Sequence, residues 1–125
     1  MSTDQKPRTI AFDFDGVISQ YHGFAGLEHT GEPIPEIVET IRTLKGLGHT
    51  IIVCSTRSTD LIRDYCNKHA IPVDYINDNP LFPDATGSKP VASVYVDDRG
   101  LCFNRQSSEV LVEQILNFQP YWRKE

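Results

Sequence analysis

Three short runs of almost unbroken apolar character restrict this chain more than any other feature. Residues 9–14 read Thr-Ile-Ala-Phe-Asp-Phe, residues 49–54 carry Thr-Ile-Ile-Val at their centre, and residues 91–96 form a third run ending in Val-Tyr-Val. A strand with one face in water alternates apolar and polar residues, whereas a strand covered on both faces does not. These runs are therefore expected to lie in a parallel sheet covered by helices on both faces. Each stops abruptly at polar residues: Asp13 to Gly16, then Ser55-Thr56-Arg57, then Asp97-Asp98-Arg99-Gly100. In an open parallel sheet, binding sites form where loops leave the carboxyl ends of the strands.

The stretches between the runs have helical spacing. Ile34, Ile37, Val38, Ile41, Leu44 and Leu47 recur on one face, with Pro33 and Pro35 at the entry and Gly46 or Gly48 at the exit. Leu61, Ile62, Tyr65 and Cys66 predict a second helix running to about His69, and a short strand is expected over residues 73–76. Val110, Leu111, Ile115 and Phe118 predict a last helix capped by Ser107 or Ser108. Strand and helix in alternation over 125 residues give one α/β domain, residues 1–125, of three-layer Rossmann-like type. Residues 19–33 read as a short flap beside the strand ends, and residues 78–90 as a loop. Residues 119–125 read as a tail whose Tyr121 and Trp122 are apolar enough to dock on the body or on a partner.

Composition narrows the function classes. With 12 Lys plus Arg against 17 Asp plus Glu, the net charge of −5 argues against extended binding to nucleic acid or to an anionic membrane, although a terminal phosphate remains within reach. Cys54, Cys66 and Cys102 form no disulfide framework, residues 1–8 lack the apolar run of a signal peptide, and no stretch has membrane-spanning length. A cytoplasmic protein is expected.

Asp13 and Asp15 are two residues apart, so in an extended segment their carboxylates share one side. Their mutual repulsion invites a divalent cation, and Asp97-Asp98 adds a second acidic pair at another strand end. An oxygen-only set favours magnesium over zinc; His22, His29, His49 and His69 have no ligand spacing. A carboxylate beside a phosphoryl group can act as a nucleophile, a second can transfer protons, a hydroxyl such as Ser55 can bind phosphate oxygen, and Lys89 can neutralise charge. Ser55 or Thr56 can alternatively cap the second helix, and Cys54 reads as core sulfur beside the site.

Asp13-Phe14-Asp15-Gly16-Val17, Ile51 to Ser55 with Thr56-Arg57, Lys89, and Tyr95-Val96-Asp97-Asp98 together resemble the four ordered motifs of the haloacid dehalogenase-like hydrolases. The resemblance spans residues 9–118 and implies a three-layer fold, magnesium and phosphomonoester hydrolysis through a phospho-aspartyl intermediate. It implies that Asp13 is nucleophile and metal ligand, and that Asp15 is general acid and base with its backbone carbonyl on the metal. It further implies that Ser55 and Lys89 handle the phosphate, that Asp97 is a metal ligand, and that Asp98 is a second or water-mediated ligand. About fifteen residues after the first motif are too few for a separate cap domain, so the open site takes a phosphate of unspecified class or is closed by a second copy in a homodimer. Competing readings are a non-catalytic binding protein on the same fold, a phosphotransferase to an acceptor other than water, and a receiver domain, whose acidic pair and phosphorylated aspartate come in the opposite order.

Overall fold

The computed structural model describes residues 6–26, 28–82 and 89–123. Parts of the amino-terminal segment, the flap at Leu27, the centre of the 78–90 loop and the last two residues of the tail lie outside these. Strand β1 (Thr9–Asp13) leads to helix α1 (Pro35–Gly46), strand β2 (Thr50–Cys54) and helix α2 (Thr59–Lys68). Two short strands, β3 (Tyr75–Ile76) and β4 (Val94–Val96), and helix α3 (Ser108–Asn117) follow, and Tyr121–Arg123 makes a final 3-10 turn. The sheet order is β3-β2-β1-β4, and every pairing is parallel.

Strand alternation separates the two faces. Ile10, Phe12, Ile51 and Val53 share one face and pack in a single cluster with Val38 and Ile41 of α1 and Ile62, Tyr65 and Cys66 of α2. Ala11 and Ile52, paired in register, are buried on the opposite face. Helix α1 begins on Pro35, where the missing N–H costs nothing, and places Glu36 in its first turn and Lys45 in its last. Lys45 also reaches Asp74 at 2.8 Å, whose other role is to accept the Ile51 N–H, so one carboxylate joins α1 to the sheet. Helix α2 is capped by Ser58, whose side chain accepts from Leu61 N, and just past its end Ala70 takes a left-handed φ of 54°.

Two expected strands are shorter than their runs, the one over residues 73–76 being confined to Tyr75–Ile76, and the last helix differs in burial. The third apolar run pairs only over Val94–Val96, because Val91 is tied instead by its carbonyl to the Asn79 side chain. Helix α3 forms as expected, capped by Ser107, yet none of its residues is buried. Leu111, Val112, Ile115 and Leu116 lie on one arc of the helix, with Glu109, Glu113, Gln114 and Asn117 opposite, and the structure leaves that apolar arc largely exposed. No helix among the described residues is long and apolar enough to cross a membrane.

Ile52 is fully buried on the face that α1 and α2 do not cover. Ile52→Ala is expected to lower stability by about 2–5 kcal/mol in urea unfolding. A loss below about 1 kcal/mol would mean that this second face is not packed.

Candidate metal and phosphate site

The carboxyl ends of β1, β2 and β4 lie side by side because the three strands are in parallel register. Asp13 ends β1 opposite Cys54 of β2, and Phe12 pairs with Val96 just before Asp97 and Asp98. Carboxylate oxygens of Asp13, Asp97 and Asp98 lie within 4.8 Å of one another. Each residue also has one oxygen held by an N–H: Asp13 Oδ1 by Phe14 N, Asp97 Oδ1 by Arg99 N and Asp98 Oδ2 by the Trp122 indole. Asp98 Oδ1 is buried, and no donor among the described residues reaches it.

This crowding moves Asp13. Burial, a hydrogen bond shared with Asp98, and the charges of Asp98 and Asp97 push its carboxyl up to about 7, against the opposing hydrogen bond from Phe14 N. The first of these penalises the ion itself, and the next two come from like charges. A divalent cation removes both penalties. The donor set fits magnesium, since all donors are hard oxygens and a buried carboxylate oxygen is left unsatisfied. Asp13, Asp97 and Asp98 are the side chains that would hold it.

The turn after β1 is unusually tight. The Phe14 carbonyl accepts from the N–H groups of Val17, Ile18 and Ser19, and Gly16 takes φ of +82°. A Cβ at Gly16 would come within 2.4 Å of Asp98 Oδ2 and 3.2 Å of the Trp122 indole nitrogen, so glycine is required by both backbone and space. Asp15, within this turn, lines the same cavity as Asp13 and Asp98 but is not one of the three clustered carboxylates. Both its oxygens accept from Arg57 Nε, at 3.1 and 2.9 Å, and the Arg57 side chain is only 7% exposed.

At the end of β2, Ser55 N donates to the side chain of Asn77, and Ser55 Oγ accepts from Arg57 N at 3.1 Å. Asn77 has left-handed φ of 55°, a conformation that asparagine tolerates, and this turns its side chain back toward β2. The helix cap is Ser58, not Ser55 or Thr56, so both of the latter are left at a cavity of about 400 Å³. Asp13, Asp15, Cys54, Asp98, Tyr21 and Arg99 also line it. Burial and the charge of Asp13 push the Cys54 thiol up, with Lys89 opposing, which keeps it a thiol and not a nucleophile.

Lys89 is not among the lining residues. Its ammonium lies 4.2 Å from the centre of the Tyr95 ring, and the Tyr95 hydroxyl is fixed by donating to Pro90 O. The flap is closed at its base: Gly31 N donates to Ser19 Oγ, Gln20 N to Glu32 O, and Tyr65 OH to Gly31 O. His22 and His29 line a second cavity of about 310 Å³ between the flap and the Asp15–Arg57 pair.

Sequence reasoning allowed Arg57 to pair with a nearby acidic residue and the tail to dock on the body, but it identified neither Asp15 as the partner of Arg57 nor the acidic cluster as the place where the tail docks. Tyr121 OH donates to Gly16 O at 2.7 Å and Trp122 reaches Asp98, so the carboxyl-terminal turn packs on the acidic cluster. Burial, then the charges of Asp98 and Glu36, push the Tyr121 phenol up and keep it a donor. The available signal was compositional: the single tryptophan of the chain stands in an otherwise polar tail.

No protein-family model and no curated protein matches the chain. Among solved structures, it resembles a conserved protein from Bacteroides thetaiotaomicron, with 25% identity and a TM-score of 0.63 over 89% of this chain and 90% of that one. A target protein from Vibrio cholerae gives 18% identity and a TM-score of 0.49 over 87% and 97%. The first likeness runs the length of both chains and supports a shared α/β fold.

The raised Asp13 carboxyl has a consequence for the metal-free protein. Because the folded state holds this proton up to about pH 7 and the unfolded chain releases it near 3.8, Asp13 favours folding at low pH and loses that effect as pH rises between the two values. In chelator, the melting temperature of the wild type relative to Asp13→Asn is expected to fall from about pH 4 to about pH 7. A difference that is flat across this window would show that Asp13 is not perturbed.

Proposed function

We propose that the protein is a magnesium-dependent phosphomonoester hydrolase of the haloacid dehalogenase-like type, working through a phosphorylated Asp13. The observation that carries this reading is the meeting of Asp13 with Asp97 and Asp98, one buried carboxylate oxygen unsatisfied, at the wall of a cavity that Ser55 also lines. Three clustered carboxylates are a poor site for an anion on their own. Magnesium, when bound, supplies the charge that keeps Asp13 ionised and draws a phosphate oxygen to it.

Asp13 attacks phosphorus, the bond from phosphorus to the ester oxygen breaks, and the departing oxygen takes a proton from Asp15, which enters this step as the carboxylic acid and not as the ion that Arg57 pairs with in the structure. Asp15, now ionised, takes a proton from water, whose oxygen attacks the acyl phosphate; inorganic phosphate leaves and the Asp13 carboxylate is regenerated. Arg57 holds the Asp15 side chain in place, Ser55 at the cavity would offer its hydroxyl to a phosphate oxygen, and Arg99 brings a cation to the cavity wall. The open cavity and the short flap suit a phosphate carried on a group that extends into solvent.

Lys89 rests on Tyr95 and is not itself a lining residue, although its charge reaches Cys54 in the lining, and this favours a second reading. In that reading the metal site binds phosphate groups without turning them over. A panel of nucleotide, sugar and peptide phosphate esters assayed with magnesium separates the two. The hydrolase reading expects turnover of at least one class, and a loss of at least about a thousandfold in Asp13→Asn with the fold retained. Wild-type activity in pure Asp13→Asn would remove Asp13 as nucleophile, and magnesium binding with no turnover on any ester would favour the binding protein.

A further inference from the structure

We propose that Trp122 is a positioning residue for the acidic cluster, its indole N–H holding Asp98 Oδ2 so that Oδ1 is left for a divalent cation shared with Asp13 and Asp97. The proposal rests on the metal-dependent reading above and extends it to a residue at the far end of the chain.

Three carboxylates whose oxygens lie within 4.8 Å repel one another, and each would lower its energy by rotating away. One N–H on each opposes this, together with the hydrogen bond that Asp13 shares with Asp98. For Asp13 and Asp97 the donor is local, the backbone N–H of Phe14 and of Arg99. These two restraints follow from the turns themselves. For Asp98 the donor is 24 residues away, on a side chain. An indole nitrogen only donates, so the contact has one polarity: it fixes Oδ2 and cannot satisfy Oδ1. Oδ1 is the oxygen left buried and without a donor.

The indole is itself held from several sides. Tyr21 meets it edge to face, with ring centres 4.8 Å apart, and the guanidinium groups of Arg99 and Arg123 lie 5.3 and 5.2 Å from its ring. Tyr121, one residue earlier, is bonded to the Gly16 carbonyl. The absence of a side chain at Gly16 leaves room for the Trp122–Asp98 contact, since a Cβ there would collide with Asp98 Oδ2. Groups that orient metal ligands in this way commonly account for a 10–100-fold difference in metal affinity, by approximate general experience.

Trp122 is the only tryptophan in the chain, so the unmodified protein reports on the contact. Magnesium titrated into chelator-treated wild type is expected to move the tryptophan emission with the midpoint found by calorimetry. Trp122→Phe, checked for folding by its melt in chelator, is expected to weaken magnesium binding by about 10–100-fold. In an Asp98→Asn background the same substitution is expected to add little, because its effect runs through Asp98.

An emission that stays unmoved while calorimetry shows magnesium binding would overturn the proposal. So would unchanged affinity in folded Trp122→Phe, or an equal further loss in the Asp98→Asn background. Phosphate-ester turnover with a silent tryptophan removes the role of Trp122 and leaves the hydrolase reading standing. Magnesium binding that moves the emission, with no turnover on any ester, removes the hydrolase reading and supports Trp122. Wild type that binds no magnesium overturns both.

Discussion

Repulsion among Asp13, Asp97 and Asp98 is the constraint around which this molecule is arranged. Two unit charges about 4 Å apart cost about 4 kcal/mol at an effective dielectric constant near 20, and a third charge adds to this. The parallel register of β1 with β4 makes the encounter unavoidable, since Phe12 opposite Val96 sets Asp13 beside the residues that follow β4. The protein lessens the cost by three separate means: a raised Asp13 carboxyl, one N–H on each carboxylate, and a glycine at 16 that lets the chain turn without crowding Asp98.

The surrounding elements are placed to hold this arrangement, not to relieve it. The apolar turn after β1 sends Phe14 and Ile18 into the core while Asp13 joins the acidic cluster and Asp15 pairs with Arg57. Asn77 ties the end of β3 to Ser55, so the third strand, only two residues long, still sets the geometry of the β2 loop. The flap closes on itself through Ser19, Gly31 and Tyr65, and so its base is fixed while its tip extends beside the Asp15–Arg57 pair.

What could be read from the sequence divides along a physical line. The runs at Thr9, Thr50 and Val94, the helices over Pro35–Gly46 and Thr59–Lys68, and the acidic strand ends are local patterns, and local patterns determine strands, helices and their termini. The parallel sheet and the meeting of Asp13 with Asp97 and Asp98 follow from them. The partners of the site residues did not, because they are long-range contacts without periodicity: Arg57 lies 42 residues from Asp15, and Tyr121 lies 105 from Gly16. Helix α3 shows the opposite case. Its local pattern predicted the helix correctly, but the apolar face that the same pattern presents, Leu111, Val112, Ile115 and Leu116, is left largely exposed.

The distribution of cations bears on the order of events at the proposed site. Arg57 is committed to Asp15, Lys89 lies on Tyr95, and Arg99, though at the cavity wall, also stands over Trp122. The cavity wall therefore carries Asp13, Asp15 and Asp98 against cations that are largely engaged by neighbouring groups. A phosphate monoester, itself an anion, gains little on approaching such a wall, whereas a divalent cation gains from every carboxylate in it. Once the cation is held, the sign at the mouth of the cavity reverses locally and the same geometry becomes attractive to phosphate. In the proposed hydrolase, cation binding thus precedes productive phosphate binding by electrostatics alone, and the residues that orient the carboxylates act first on the metal and only through it on the substrate.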